Sequence, residues 1–147
     1  MKILISSTPS ILLVDDNHDG LLVRRCLLEE IGCCVQTALN GEEGLKLFKA
    51  AKFDVVVTDY RMPRMNGTEL IQRIRLLDPN ARIILLSGFV EPLGLTEQNT
   101  GADAVIAKSA SEPAHLVRTV KRLTNRAVRK PPVSQQAAQA SAKAIGQ

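Results

Sequence analysis

Phe53-Asp54-Val55-Val56-Val57-Thr58-Asp59, followed by Tyr60-Arg61-Met62-Pro63-Arg64-Met65-Asn66-Gly67, is the stretch whose reading decides the fold. Val55, Val56 and Val57 stand in a row with no polar alternation, which predicts a strand covered on both faces, as in a parallel sheet flanked by helices. The run stops at Asp59. Open α/β sheets place their chemistry in the crevice beyond the carboxyl ends of their strands, so a carboxylate there is a candidate functional group. The competing reading is that Asp59 only caps the turn into Pro63 and Gly67. Whether other strands deliver complementary groups to the same edge decides between the two.

Working outward, Ile11-Leu12-Leu13-Val14 is a second unalternating apolar run, and it too ends in carboxylates, Asp15 and Asp16. Leu22, Cys26, Leu27 and Ile31 then recur at helical spacing, with Arg24, Arg25, Glu29 and Glu30 as polar punctuation, and Gly32 ends the helix. Val35 to Ala38 reads as a weaker strand at an edge. Asn40 with Glu43, and again Asn66 with Glu69, have capping-box spacing and open helices. Leu45 and Phe48 face inward on the first of these, and Leu70, Ile71, Ile74 and Leu77 form an apolar stripe on the second. Asp78-Pro79 closes it. Arg82 to Leu86 is another buried strand, ending at Ser87-Gly88. Glu91 to Thr100 is the weakest helix, because Pro92 and Gly94 interrupt it. Ala104 to Ala107 is the last strand, ending at Lys108, and Leu116, Val117, Val120 and Leu123 mark the last helix. Strands alternating with helices five times predict an α/β domain with a flavodoxin-like (βα)5 doubly wound parallel sheet in the order 2-1-3-4-5.

The 147 residues, 45% of them apolar, suffice for one core. The expected domain covers residues 9–125. Residues 126–147, rich in Arg, Lys, Pro, Gln, Ala and Ser, are expected to be a disordered basic tail or the start of a linker. The net charge of +4 comes from this end: from Lys121 onward there are six basic residues and no acids, so the preceding part is mildly acidic. Without aromatics to stack on bases, the basic end is not expected to bind nucleic acid. No apolar run approaches the ~18 residues of a membrane span, and Ser6-Ser7-Thr8-Pro9-Ser10 cuts short the apolar start, so the expected location is cytoplasmic. Cys26, Cys33 and Cys34 lack metal-ligand spacing and are expected to be buried free thiols.

In the predicted order, Asp15, Asp16, Asp59, Ser87 and Lys108 meet at one edge. Three crowded carboxylates repel one another unless a cation intervenes, and a sparse all-oxygen cluster suits Mg²⁺. Lys108 offers a point charge to a phosphoryl oxygen, and Ser87 offers a hydroxyl donor. Together they describe a phosphoryl-transfer site in which Asp59 attacks phosphorus to give an acyl phosphate. Asp16 is expected to hold the metal directly and Asp15 through water.

These residues carry a resemblance. From about Ile11 to Leu123 the chain resembles the receiver domain of two-component response regulators, on Asp15-Asp16, on Asp59 with Met62-Pro63-Arg64-Met65-Asn66-Gly67, on Ser87-Gly88 and on Lys108, each at its own strand end. The resemblance implies that Asp59 accepts a phosphoryl group from a sensor histidine kinase or a histidine phosphotransfer protein, and that the backbone carbonyl of Arg61 joins Asp15, Asp16 and Asp59 around Mg²⁺. It implies that Ser87 and Lys108 report the phosphoryl group to the face made by the fourth helix, the fifth strand and the fifth helix. The partner downstream is a protein target or a fused output domain. Such a module is self-catalysed and not a turnover enzyme.

The chain departs from the family in two places. The lysine is usually followed by a proline in a cis peptide, whereas Lys108 precedes Ser109, where a cis bond costs about 2.5–4 kcal/mol. Three residues before the lysine the family usually has an aromatic switch residue, and here Val105 stands in its place. Phe89 is a candidate substitute for the switch, with a packing role as the alternative. His18 has no second ligand near it and reads as a solvated loop residue, as does His115 at the start of the last helix. The departures support a competing reading, a pseudo-receiver that keeps the fold as an interaction domain without a phosphorylation cycle. An aspartyl-phosphate hydrolase ranks below both, because that class has a second Asp two residues after the nucleophile, where this chain has Arg61.

Overall fold

A computed structural model describes residues 8–88 and 90–129. Among them five strands, β1 (Ser10–Val14), β2 (Cys34–Ala38), β3 (Val55–Asp59), β4 (Ile83–Ser87) and β5 (Ala104–Ala107), form one sheet in the order β2-β1-β3-β4-β5. Every neighbouring pair is parallel. The predicted order is the one observed. Helices α1 (His18–Glu30), α2 (Gly41–Ala50), α3 (Gly67–Leu77), α4 (Val90–Leu93), α5 (Glu97–Thr100) and α6 (Glu112–Arg129) cover the two faces.

Because side chains alternate across a strand, the unbroken apolar runs feed two cores at once. Ile11, Leu13, Val55, Val57, Ile84, Leu86 and Ile106 pack under α1 and α6, with Leu28, Leu116, Val120 and Leu123. Leu12, Val14, Val56, Ile83 and Leu85 pack under α2 and α3, with Leu70, Ile71 and Ile74, and the half-buried Leu45 and Phe48 join them. β2 is an edge strand, as its weak pattern predicts, with Cys34 and Gln36 exposed.

The two predicted Asn caps form. Asn40 accepts from the Glu43 N–H, and Asn66 and Glu69 make a complete capping box at α3. The Glu43 carboxylate reaches one residue further back than the motif requires, to the N–H of Leu39.

The structure corrects the sequence reading at several points. On α1 the buried positions are Leu21 and Leu28, while Leu22 and Cys26 are exposed. The stripe is shifted because Arg24, three residues after Leu21, faces inward, and a cation at an inward position breaks the apolar pattern. Leu77 at the end of α3 is half exposed. Of the cysteines, only Cys33 is buried, and Cys34 points outward from the edge strand. The interrupted helix after β4 is two short pieces, with Gly94 between them at φ 63°. The last helix runs to Arg129, and residues 130–147, most of the expected tail, lie outside the described residues.

Candidate functional site

Parallel register aligns the carboxyl ends of β1, β3, β4 and β5. Val14 pairs with Thr58, Asp59 with Leu86, and Ser87 with Ala107, so the residues that end or follow these strands crowd one rim. Asp15, Asp16, Asn17, Asp59, Arg61, Ser87, Gly88 and Lys108 line a cleft of about 300 Å³ there. All the sequence-predicted site residues are brought together. His18 is exposed and is not part of the carboxylate cluster, and His115 is exposed on α6. Phe89 lies outside the described residues.

Asp59 is 6% exposed and Ser87 1%, whereas Asp16 is open to solvent. The Lys108 ammonium is 2.7 Å from Asp59 Oδ1 and 3.9 Å from Asp15 Oδ2. Asp15 is held from two further sides: its Oδ1 accepts the Asn17 N–H at 2.9 Å, and its Oδ2 accepts from Arg24 Nη1 at 3.0 Å. Among the described residues there is no cis peptide, so the Lys108-Ser109 bond is trans and Lys108 still reaches Asp59. Its backbone is tied to β4, the Lys108 N–H donating to the Ser87 carbonyl at 2.9 Å. Val105 is half-buried in the α2/α3-side core, and its N–H donates to the carboxylate of Glu97.

The loop after Asp59 is shaped by close contacts. Tyr60 N–H donates to the Leu86 carbonyl and Gly67 N–H to the Tyr60 carbonyl, both at 2.8 Å. Met62 and Met65 are buried beneath it, while Arg64 adopts φ 68°, a left-handed conformation uncommon outside glycine. A Cβ on Gly67 would fall 2.5 Å from the Asp59 carbonyl oxygen and 2.7 Å from Leu85 Cδ1, so only glycine lets α3 start against the end of β3.

One buried group escaped the sequence reading. Arg24 donates from Nε and Nη2 to the two carboxylate oxygens of Glu112, both at 3.0 Å, besides its bond to Asp15. Burial alone would lower its pKa, but the hydrogen bond and charge of Glu112, with Asp15 and Asp59, outweigh that and raise it, so the guanidinium stays charged. The sequence signal was an arginine three residues after one buried leucine and four before another, on an otherwise apolar face.

Burial pushes the Asp59 carboxyl above the ordinary carboxylate range, and Asp15 pushes it the same way, while the hydrogen bond and charge of Lys108 and the charge of Arg24 pull against them. The folded chain therefore binds this proton more tightly than the unfolded chain does. The resulting stabilisation is full below the unfolded pKa and is lost as pH rises through the folded one. Asp59→Asn is accordingly expected to unfold at a higher temperature than wild type at neutral pH without metal. The gap should close on acidification into the ordinary carboxylate range, as read by circular dichroism melts across a pH series.

One oxygen from each of Asp15, Asp16 and Asp59 lies within 4.8 Å of the others. This hard, all-oxygen set, with Asp16 reachable from solvent, fits Mg²⁺ and does not fit a softer metal that prefers sulfur or imidazole. The charge balance agrees, since a carboxylate raised first by burial and then by a neighbouring carboxylate is one that gains from a divalent cation.

Known proteins answer to the same arrangement. Residues 11–121 match the family model described as the response regulator receiver domain. A response regulator receiver protein of Anaeromyxobacter sp. (strain Fw109-5) is 36% identical over 103 residues, which is 69% of this chain and 43% of that protein. The chain thus spans less than half the length of that relative. Among solved structures, the response regulator TrrA of Thermotoga maritima in complex with Mg²⁺-BeF superposes with a TM-score of 0.72 at 34% identity, covering 79% of this chain and 99% of that one. The structure of the histidine kinase ThkA in complex with TrrA gives a TM-score of 0.71 at 34% identity, over 79% of this chain and 98% of that one. With the strand order, the rim residues and the family match in agreement, the chain belongs to the response regulator receiver domain family of two-component systems.

Proposed function

We propose that this chain is a Mg²⁺-dependent phosphoacceptor that takes a phosphoryl group onto Asp59 from the phosphohistidine of a sensor histidine kinase or histidine phosphotransfer protein. The observation that carries the proposal is the Lys108 ammonium 2.7 Å from Asp59 Oδ1, at the rim where Asp15 and Asp16 converge. An oxygen of Asp59 forms the new O–P bond as the N–P bond to the donor imidazole breaks, and the imidazole keeps the electron pair and takes a proton. Asp16, Asp59 and the Arg61 carbonyl would hold Mg²⁺, with Asp15 beside them, and the ion would supply positive charge for the transferring oxygens. Asp16, exposed while Asp15 is tied to Arg24 and Asn17, is the carboxylate better placed for direct contact.

Lys108 neutralises one phosphoryl oxygen, and the Ser87 hydroxyl donates to another. Lys108 starts the segment leading to α6 and Ser87 the one leading to α4, so both adjoin the face of α4, α5, β5 and α6 through which a protein target or fused output domain would read the state. The Mg²⁺-BeF form of TrrA and its complex with ThkA support the same partners for this chain. Among the described residues no helix is long and apolar enough to cross a membrane, in keeping with action in the cytoplasm. In this reading the domain is a self-catalysed phosphoacceptor and not a turnover enzyme.

Incubation with Mg²⁺ and a small phosphodonor, followed by intact-mass measurement, tests the proposal. One phosphoryl group per chain is expected. No adduct would assign the pseudo-receiver reading, and steady phosphate release in excess of protein the hydrolase. Metal binding alone has its own measure: Mg²⁺ at a hundredfold excess over its Kd should stabilise the fold by about 2.7 kcal/mol, a rise of about 10 °C in Tm, and Asp16→Asn should lose most of it.

A further inference from the structure

Resting on the Mg²⁺ reading of the rim, we infer that Arg24 is a positioning residue that competes with the divalent cation for Asp15, and that Glu112 sets the strength of that competition. The geometry is a three-way junction. The Nε/Nη2 edge of the guanidinium is taken up by both oxygens of Glu112, and the remaining Nη1 reaches Asp15 Oδ2, all at 3.0 Å. Arg24 and Glu112 are 88 residues apart in sequence and nearly buried, with side chains 12% and 9% exposed. Room for the guanidinium is built into the first turn of α1: a Cβ on Gly20 would fall 2.9 Å from Nη1 and 3.5 Å from Asp15 Oδ2.

Asp15 therefore differs from the other two acids of the cluster. Asp16 faces solvent, and Asp59 is paired with Lys108, a charge that serves the phosphoryl group as well. Asp15 has one oxygen on a backbone N–H and the other on Arg24 at 3.0 Å, with Lys108 farther off at 3.9 Å. A guanidinium bonded to one of the three carboxylates repels a divalent ion entering among them, and low dielectric strengthens that repulsion. Glu112 opposes it in two ways: its charge offsets that of Arg24, and its bidentate grip commits two of the three donor nitrogens away from the rim. Two carboxylates thus share one cation, and whichever loses it leaves it to the other.

The inference predicts shifts of opposite sign. Glu112→Gln removes the offsetting charge and leaves Arg24 more fully on Asp15, so Mg²⁺ binding should weaken roughly fivefold. The double variant Arg24→Met with Glu112→Leu deletes cation and anion together, replaces the buried pair with apolar volume, and should tighten Mg²⁺ roughly fivefold. Isothermal titration with MgCl₂ at fixed ionic strength reads both, and urea unfolding of each metal-free variant accompanies it. A pair that serves only to fasten α1 to α6 would change the unfolding midpoint and leave the two Mg²⁺ affinities unchanged or shifted in the same direction. Either result overturns the inference. Should the double variant not fold, Gly20→Ala, which keeps every charge and displaces Nη1 from Asp15, carries the same expected tightening. Wild type that takes up no Mg²⁺ would overturn the reading of the rim, and this inference with it, whereas wild-type binding without opposed shifts overturns the role of Arg24 alone.

Discussion

Asp59→Asn, incubated with Mg²⁺ and a small phosphodonor, gains no phosphoryl mass under conditions in which wild type gains one group per chain. Asparagine keeps the shape and burial of the side chain but lacks the anionic oxygen that attacks phosphorus, so the expected loss is complete and not fractional. Asp15 and Asp16 remain as carboxylates in the variant, which makes the result a test of position. Lys108 reaches Asp59 at 2.7 Å and Asp15 only at 3.9 Å, so the charge that would neutralise the transferring group is centred on Asp59. Lys108→Met is the companion variant. It keeps a similar apolar stem but removes the cation, and should slow adduct formation roughly a hundredfold, the scale seen when one pre-set electrostatic group is deleted from a reaction site. An adduct on Asp59→Asn at the wild-type rate would place the acceptor elsewhere and end the assignment.

The second large effect belongs to a residue with no chemistry. Gly67→Ala introduces a Cβ 2.5 Å from the Asp59 carbonyl oxygen, 2.7 Å from Leu85 Cδ1 and 3.0 Å from Tyr60 Cα. Two of these neighbours are backbone and cannot rotate away. Either α3 lifts off β3 or the end of β3 moves, and both disturb the core formed by Leu70, Ile71 and Leu85. Overpacking of this kind is expected to cost about 3 kcal/mol, a fall in Tm of about 10 °C. Because the displaced atoms belong to Asp59 and Tyr60, phosphate uptake should fall as well, even at temperatures where the variant is fully folded. Gly88→Ala is the control for stability: among the described residues nothing lies within 4 Å of its added Cβ, and its change should stay within about 0.5 kcal/mol. A Gly67→Ala protein as stable as that control would show that the β3–α3 junction is slack.

The stability test of Asp59→Asn at neutral pH joins these two. The rim gathers three carboxylates, and burial and Asp15 together hold the acceptor above its ordinary pKa. The metal-free fold thus carries a repulsion that a cation would relieve, which is the usual relation between a functional cluster and the stability of the chain around it. Arg24 and Lys108 relieve part of it from within, and only Lys108 stands where a phosphoryl group would arrive.

The sequence by itself determined the sheet and the rim. Unalternating apolar runs at Ile11–Val14, Val55–Val57 and Ile83–Leu86, each short and rich in β-branched or aliphatic residues, read as strands buried on both faces, and parallel strands joined by right-handed crossovers present all their carboxyl ends on one edge. Asp15, Asp16, Asp59, Ser87 and Lys108 had to meet once each was seen to end or follow a strand. The tertiary structure alone decided which side of α1 faces the core and what its arginine does there. The pattern of Leu22, Cys26, Leu27 and Ile31 looked like the inward stripe, yet Leu21 and Leu28 are buried and Arg24 lies between them. An inward cation is indistinguishable from surface punctuation until its partners are known, and one of them, Glu112, is 88 residues away at the start of another helix. Local periodicity records which residues avoid water on average. A charge that avoids water because two carboxylates from different parts of the chain enclose it is a property of the folded chain only.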